Sequence, residues 1–245
     1  MTNNAKHRKR VYSMVLTALF CAMAYVISLV FHIKVGFLTF DAKDTVICIS
    51  GMLLGPMTST VVALVVSLIE FISVSDTGFW GLIMNFVSSA AFALTAGLIY
   101  RNIRKMWGAV VGMASAVAAG TSVMLLLDIL VIPLYINNVS SAAVISMIPT
   151  LLLPFNLVKY TLNAALVLAI YKPISTALKK ARLLPSTEKD KRDADSAGNT
   201  GEENNIGYKF NGRTVAVLVA ALAIAVGCVL VLVFVLHGTF TFGSD

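Results

Sequence analysis

One apolar stretch of the chain carries three polar residues, Asn156, Lys159 and Asn163, at spacing i, i+3 and i+7. Residues at this spacing share one face of an α-helix. Each asparagine offers two hydrogen-bond donors and an acceptor, and the lysine offers three donors. Such a face is suited to bind a planar heterocycle that is rich in amide groups.

The chain around these residues is strongly apolar. Of its 245 residues 58% are hydrophobic and 13% are charged, whereas soluble domains carry roughly a quarter charged residues. Between Met106 and Tyr171 the only aspartate, glutamate, lysine or arginine residues are Asp128 and Lys159. The composition excludes a water-soluble globule and a disordered chain, and it indicates an integral membrane protein. The net charge of +7 does not indicate nucleic-acid binding, because the basic residues flank apolar segments.

The apolar runs predict an all-α membrane protein with seven spans. We expect these at 11–33, 44–54, 57–74, 79–100, 108–132, 146–171 and 213–236. The second run is short and ends at Gly55-Pro56, so we expect it to pack among its neighbours. We expect Pro133 to close the fifth span, and Pro149 and Pro154 to mark the start of the sixth.

These spans divide the chain into four parts. They are a six-helix membrane domain (1–182), a flexible cytoplasmic linker (183–212), an added transmembrane helix (213–236) and a tail (237–245). The linker is predicted from its content of Pro, Ser, Asn, Gly and mixed charges, with few apolar residues.

The basic residues predict the orientation. They cluster before span one, between spans four and five, and after span six: Lys6, Arg8, Lys9, Arg10; Arg101, Arg104, Lys105; Lys172, Lys179, Lys180, Arg182. If six spans cross, all three clusters lie on one side, which the positive-inside rule places in the cytoplasm. We therefore expect a multi-pass protein of the plasma membrane, with its amino terminus inside and its last residues outside. A cleaved signal peptide with a site at Ala22–Ala24 is the alternative, but the apolar run continues to Phe31.

Five polar residues fall at one depth, in the outer half of the predicted spans: Glu70, Asn85, Asp128, Asn156 and Lys159. A charged residue in hydrocarbon costs roughly 2.5–3.5 kcal/mol and is by default a functional hypothesis. The common depth predicts a pocket that opens to the outside. Two alternatives remain: Asp128 and Lys159 form an ion pair that only joins two helices, and Glu70 is a solvated helix end.

The segment 34–44 joins the first two spans on the outer side and is unusually apolar, with Phe37, Leu38 and Phe40 around Gly36. We expect it to cover the pocket as a lid and to supply aromatic and backbone contacts. The alternative is a belt of aromatic residues at the membrane interface.

Ala18 and Ala22 form a small-x-x-x-small pair in the first span. Such pairs allow another helix to approach closely, either within the bundle or from a partner.

The sequence lacks the motifs of catalysis and of ATP hydrolysis. It contains no phosphate-binding loop, no zinc-protease motif, no nucleophile elbow and no histidine, cysteine and carboxylate cluster. We therefore expect no enzyme activity, no cofactor and no metal. A binding pocket without ATPase motifs implies either passive diffusion or a separate energising partner.

Several strings of the sequence, in order, resemble the riboflavin-specific S components of energy-coupling factor (ECF) transporters. They are Phe37-Leu38-Thr39-Phe40-Asp41 with Asp44, Gly51-Met52-Leu53-Leu54-Gly55-Pro56, Ser75-Asp76-Thr77-Gly78, Met84-Asn85-Phe86, Pro133-Leu134-Tyr135 and Leu153-Pro154-Phe155-Asn156-Leu157-Val158-Lys159. The likeness covers roughly residues 11–182.

The resemblance implies a six-helix subunit that captures riboflavin outside the cell. Such a subunit docks on a transmembrane coupling protein driven by two ATPase subunits, and Ala18 and Ala22 would contact the coupling protein. The implied flavin site uses the first outer loop and helices four to six, namely Phe37, Leu38, Thr39, Phe40, Asn85, Asp128, Asn156 and Lys159. Asp128 stands where the family leads us to expect asparagine.

Three other functions remain open at this point. They are an S component for another vitamin, an S component for a flavin nucleotide, and a membrane facilitator or scaffold that needs no partner.

Overall fold

The computed structural model describes residues 3–31, 33–35, 38–74, 78–103, 106–136 and 139–180. Its helices are α1 (Asn3–Val30), α2 (Lys43–Leu54), α3 (Pro56–Ser73), α4 (Gly78–Asn102), α5 (Met106–Tyr135), α6 (Ser141–Met147) and α7 (Leu153–Lys180). A π-helical turn (Ile148–Leu152) joins α6 to α7, and two short strands, β1 (Ile33–Val35) and β2 (Leu38–Phe40), lie between α1 and α2. The predicted linker, added helix and tail lie outside the described residues.

Five helical stretches of the described residues are long and apolar enough to cross a membrane. They are Arg10–Val30, Pro56–Ser73, Gly78–Asn102, Trp107–Leu134 and Ser141–Tyr171. The last of them combines α6, the π-helical turn and α7. Together with the short α2 they form an all-α membrane bundle, as the sequence predicted.

Helix α2 is shorter than the hydrocarbon core of a bilayer. Its 12 residues extend about 18 Å, against a hydrocarbon core of about 30 Å. Every residue from Lys43 to Met52 is buried, and α2 packs against α1, α3, α4 and α7. Gly55 adopts a φ of 120° before Pro56 starts α3, a backbone conformation that glycine allows at low cost. The prediction that this segment packs among its neighbours is confirmed.

Several predicted boundaries were wrong. The first helix ends at Val30. Strands β1 and β2 form an antiparallel hairpin that pairs Ile33 with Phe40 and Val35 with Leu38. Helix α5 continues past Pro133 to Tyr135, because an internal proline removes one hydrogen bond and bends a helix without always ending it.

The start of the sixth span also differs from the prediction. Helix begins at Ser141, five residues before the expected start, and Pro149 lies in the π-helical turn. Single π-helical turns occur inside longer helices, so this proline marks an irregular turn within the span. Pro154 lies in the first turn of α7, where a proline is tolerated.

Helices α5 and α7 approach closely at Gly120. A Cβ atom on Gly120 would lie 2.9 Å from Cε1 of Tyr160. The Tyr160 ring is fully buried and stacks on Phe92 of α4, with ring centroids 5.3 Å apart. The glycine therefore lets three helices meet around one aromatic ring.

We expect Gly120→Ala to destabilise the bundle by about 1–3 kcal/mol, the usual cost of overpacking a core. The added methyl group must displace a ring that is held between two helices. Thermal unfolding of the purified protein in detergent measures the change. The control is Ala118→Val, because Ala118 is exposed on the same helix; equal stability of both variants would contradict the prediction.

Candidate ligand-binding site

Asn156 and Asp128 join α7 to α5 in the interior of the bundle. The Asn156 Nδ2 group donates to Asp128 Oδ2 at 3.2 Å and to the Leu152 carbonyl at 3.0 Å. Both side chains are fully buried. The other oxygen of each, Asp128 Oδ1 and Asn156 Oδ1, accepts no hydrogen bond from any residue of the described ranges. A buried polar atom without a partner costs about 1–3 kcal/mol, so these two acceptors are suited to donors on a ligand.

Lys159 lies one helical turn after Asn156 and connects α7 to the hairpin. Its Nζ group lies 3.4 Å from the Thr39 carbonyl oxygen and 3.4 Å from Asp41 Oδ2. Both contacts are long for a charged donor, which usually reaches 2.7–2.9 Å. The expected alternative of an ion pair between Lys159 and Asp128 is wrong, because Lys159 pairs with Asp41 and Asp128 accepts from Asn156.

The hairpin packs its second strand into the bundle. Leu38 and Phe40 are buried and belong to an apolar cluster with Ile132, Val144, Leu152, Phe155 and Leu162. This burial is incompatible with an interfacial belt for these two side chains. Thr39 lies between them, half-buried, and presents its carbonyl to Lys159. Phe37 lies outside the described residues.

Asn163 holds the end of the hairpin segment in place. Its Oδ1 atom accepts from the Thr45 backbone N–H at 3.1 Å and from the Thr45 hydroxyl at 2.8 Å. Its Nδ2 group donates to the carbonyls of Asp41 at 3.1 Å and Lys159 at 3.0 Å. Asn163 therefore shares the helix face of Asn156 and Lys159, as its spacing predicted, but its side chain is engaged within the protein.

The remaining predicted residues lie on other helices. Asn85 is half-buried on α4, and no hydrogen bond of the described residues joins its side chain to Asp128, Asn156 or Lys159. Ala18 and Ala22 are both exposed on α1. The structure thus brings together β2, Asp128, Asn156 and Lys159, and it does not link Asn85 to them.

Glu70 is not a solvated helix end. It is 8% exposed, accepts a hydrogen bond from the Ser28 hydroxyl and lies 2.5 Å from Lys43 Nζ. Lys43 in turn lies 3.6 Å from Asp41 Oδ2. The role of Lys43 was missed, although Lys43 and Glu70 stand at similar distances on either side of the Gly55-Pro56 turn. If the two helices are antiparallel, opposite charges at these positions come close together, so the sequence could have indicated this ion pair.

Asp44 is a further buried carboxylate at the start of α2. Its Oδ1 atom accepts from the Ser89 hydroxyl of α4 at 2.5 Å, and the residue is 1% exposed. The first turn of α2 is thereby joined through its side chains to α3, α4 and α7. Because α2 begins shortly after β2 ends, these contacts also fix the position of the carboxyl-terminal end of the hairpin.

Comparison with known families gives a match over most of the described residues. Residues 12–171, well over half of the chain, match the family described as "ECF transporter, substrate-specific component". The chain belongs to this family. It is therefore an S component, and the predicted S-component bundle is confirmed for the described residues.

Two relatives of this S component carry further information. The protein named "Riboflavin transporter RibU" from Staphylococcus aureus (strain TCH60) is 29% identical over 150 residues, covering 59% of this chain and 78% of that protein. A solved structure described as "Structure and mechanism of the S component of a bacterial ECF transporter" is similar with a TM-score of 0.59 and 26% identity. The similarity covers 69% of this chain and 99% of the other.

Proposed function

We propose that this S component binds riboflavin outside the cell and delivers it inward together with a transmembrane coupling protein and two ATPase subunits. The observation that carries the proposal is the buried pair Asp128–Asn156, which has two acceptor oxygens without a partner among the described residues. Riboflavin presents an imide edge with an N–H donor between two carbonyl acceptors. One of the two acceptor oxygens of Asp128 and Asn156 would accept from this N–H and the other from a hydroxyl group of the ribityl chain, while Lys159 would donate to a ring carbonyl.

The apolar part of the ligand needs a second kind of surface. Leu38 and Phe40 of the hairpin, with Phe37 next to them in sequence, supply apolar area against which a fused ring can leave water. The hairpin would then act as the lid predicted from the sequence. The name of the Staphylococcus aureus relative supports riboflavin over other planar heterocycles.

The substrate is tested by purifying the full chain in detergent and recording flavin absorbance. Ligand-free protein is then titrated with riboflavin while the fluorescence of Trp80 and Trp107 is followed. We expect saturable one-to-one quenching. Absence of both bound flavin and quenching would contradict the proposal and direct the search to another vitamin-like heterocycle.

A flavin nucleotide is the second candidate ligand for the same site. Its phosphate would need cationic partners, and Lys159 is the single basic residue in the proposed set. Titration with flavin mononucleotide under the same conditions separates the two ligands, and we expect weaker binding than for riboflavin.

The partners and the orientation are part of the proposal. The S component would lie in the plasma membrane with its amino terminus in the cytoplasm and the hairpin outside. Uptake of riboflavin by cells that express the chain with and without the coupling protein and ATPase subunits tests this. Uptake that does not depend on these subunits would favour a partner-free facilitator.

A further inference from the structure

Four charged residues of alternating sign form a continuous chain of contacts at the hairpin end of the bundle. Glu70 of α3 pairs with Lys43 at 2.5 Å, Lys43 lies 3.6 Å from Asp41, and Asp41 lies 3.4 Å from Lys159 of α7. All four are at most 8% exposed. We call these residues the charge chain; with two carboxylates and two ammonium groups it is neutral when all four are ionised.

The two lysines share one oxygen atom. Asp41 Oδ2 lies 3.6 Å from Lys43 Nζ and 3.4 Å from Lys159 Nζ. Lys43 is nevertheless much closer to Glu70. Glu70 therefore holds the Lys43 ammonium group away from Asp41 and limits its competition with Lys159 for that carboxylate, because charges in a buried site attract one another with little screening.

Removal of the Glu70 charge would change this balance. Lys43 would become a buried ammonium group with a partner missing, and such a group must find another anion or disrupt its surroundings. Its other ion pair within the described residues is with Asp41. Lys43 would close on Asp41 and weaken the hold of Asp41 on Lys159.

We infer that Glu70 and Lys43 are positioning residues that set the location of the Lys159 ammonium group without touching the ligand. The inference rests on the proposed function, since it takes Lys159 as a ligand-binding residue. Neither residue belongs to the flavin site that the family resemblance implies. Their effect passes through Asp41. Because Asp41 directly follows β2, its contact with Lys159 also holds the Lys159 ammonium group close to the Thr39 carbonyl.

The test uses two measurements on the full chain in detergent. One is the dissociation constant for riboflavin, and the other is the rate at which Lys159 reacts with an amine-reactive ester, followed by mass spectrometry of its peptide. We expect Glu70→Gln to raise the dissociation constant and the labelling rate of Lys159 by about tenfold each. This size is typical of coupling between residues in one ion-pair network. The double variant Glu70→Gln with Lys43→Met removes both members of the pair and should return both values to within about threefold of the unaltered protein.

Two further variants separate positioning from a merely structural role. Ser28→Ala removes a hydrogen bond to the other oxygen of Glu70 and leaves the pair with Lys43 intact, so both measurements should change by less than about twofold. Glu70→Asp keeps the charge but shortens the side chain. We expect it to raise the dissociation constant and the labelling rate of Lys159 by about threefold each. This variant decides the question if Glu70→Gln does not fold.

The outcomes distinguish this inference from the proposed function. If the unaltered protein does not bind riboflavin, the proposed function fails, while the labelling rate of Lys159 still decides the positioning role. Equal labelling of Lys159 in folded Glu70→Gln or Glu70→Asp overturns the inference. So does a double variant that is as impaired as Glu70→Gln, because the loss would then follow from disruption of the fold.

Discussion

Lys159→Ala should weaken riboflavin binding by more than 2 kcal/mol, or about 30-fold. The side chain is 5% exposed, so water cannot replace its ammonium group as a donor to the ligand. Its two contacts within the protein are long, 3.4 Å each, which leaves it able to turn toward a better acceptor. The fluorescence titration described above, repeated on the purified variant, measures the loss.

A loss of affinity counts for the site only if the fold survives. Removal of Lys159 also deprives Asp41 of one ionic partner, so the unfolding temperature of the variant must be compared with that of the unaltered protein. Tyr171→Phe is the matched control, because Tyr171 lies on the same helix as Lys159, about 18 Å further along α7, and the substitution removes a 2.5 Å hydroxyl contact with Tyr100 of α4. We expect its affinity to be unchanged. Unchanged affinity in folded Lys159→Ala would remove this residue from the site.

Three residues of the candidate site could be placed near one another from the sequence because polar groups are rare in this chain. Asp128 and Lys159 are the only charged residues over a long apolar stretch, and each must reach a polar partner within a bundle. The position of each residue within its predicted span gives its depth in the membrane, and Asp128, Asn156 and Lys159 fall at the same depth. The hydrogen bond between Asp128 and Asn156 agrees with that prediction.

The choice of partners was not predictable in the same way. Lys159 pairs with Asp41 rather than Asp128 because the hairpin folds back over the bundle. Segment 34–44 gave no signal strong enough to distinguish a hairpin from a loop, since its strands have only three residues each. Glu70 was undecided for a related reason: its burial depends on Ser28 and Lys43, which lie on two other helices.

Helix α1 carries the second large expected effect. Ala18 and Ala22 are exposed on one face of α1, together with Val15, Leu19 and Val26. Small residues at this spacing allow a neighbouring helix to approach closely. None of these side chains contributes to the proposed riboflavin site, so the proposed ligand capture and the proposed docking on the coupling protein can be separated by substitution.

We expect Ala18→Trp and Ala22→Trp to retain riboflavin binding in detergent and to abolish uptake in cells that also contain the coupling protein and ATPase subunits. An indole on this face would keep the two helices apart, and close packing cannot be restored by small shifts. Met23→Trp is the control, because Met23 is 37% exposed at the edge of the same face and is already large. Uptake that survives in both alanine variants would show that docking uses another surface. Impaired uptake in Met23→Trp as well would mean that the contact extends around the helix, beyond the pair of small residues.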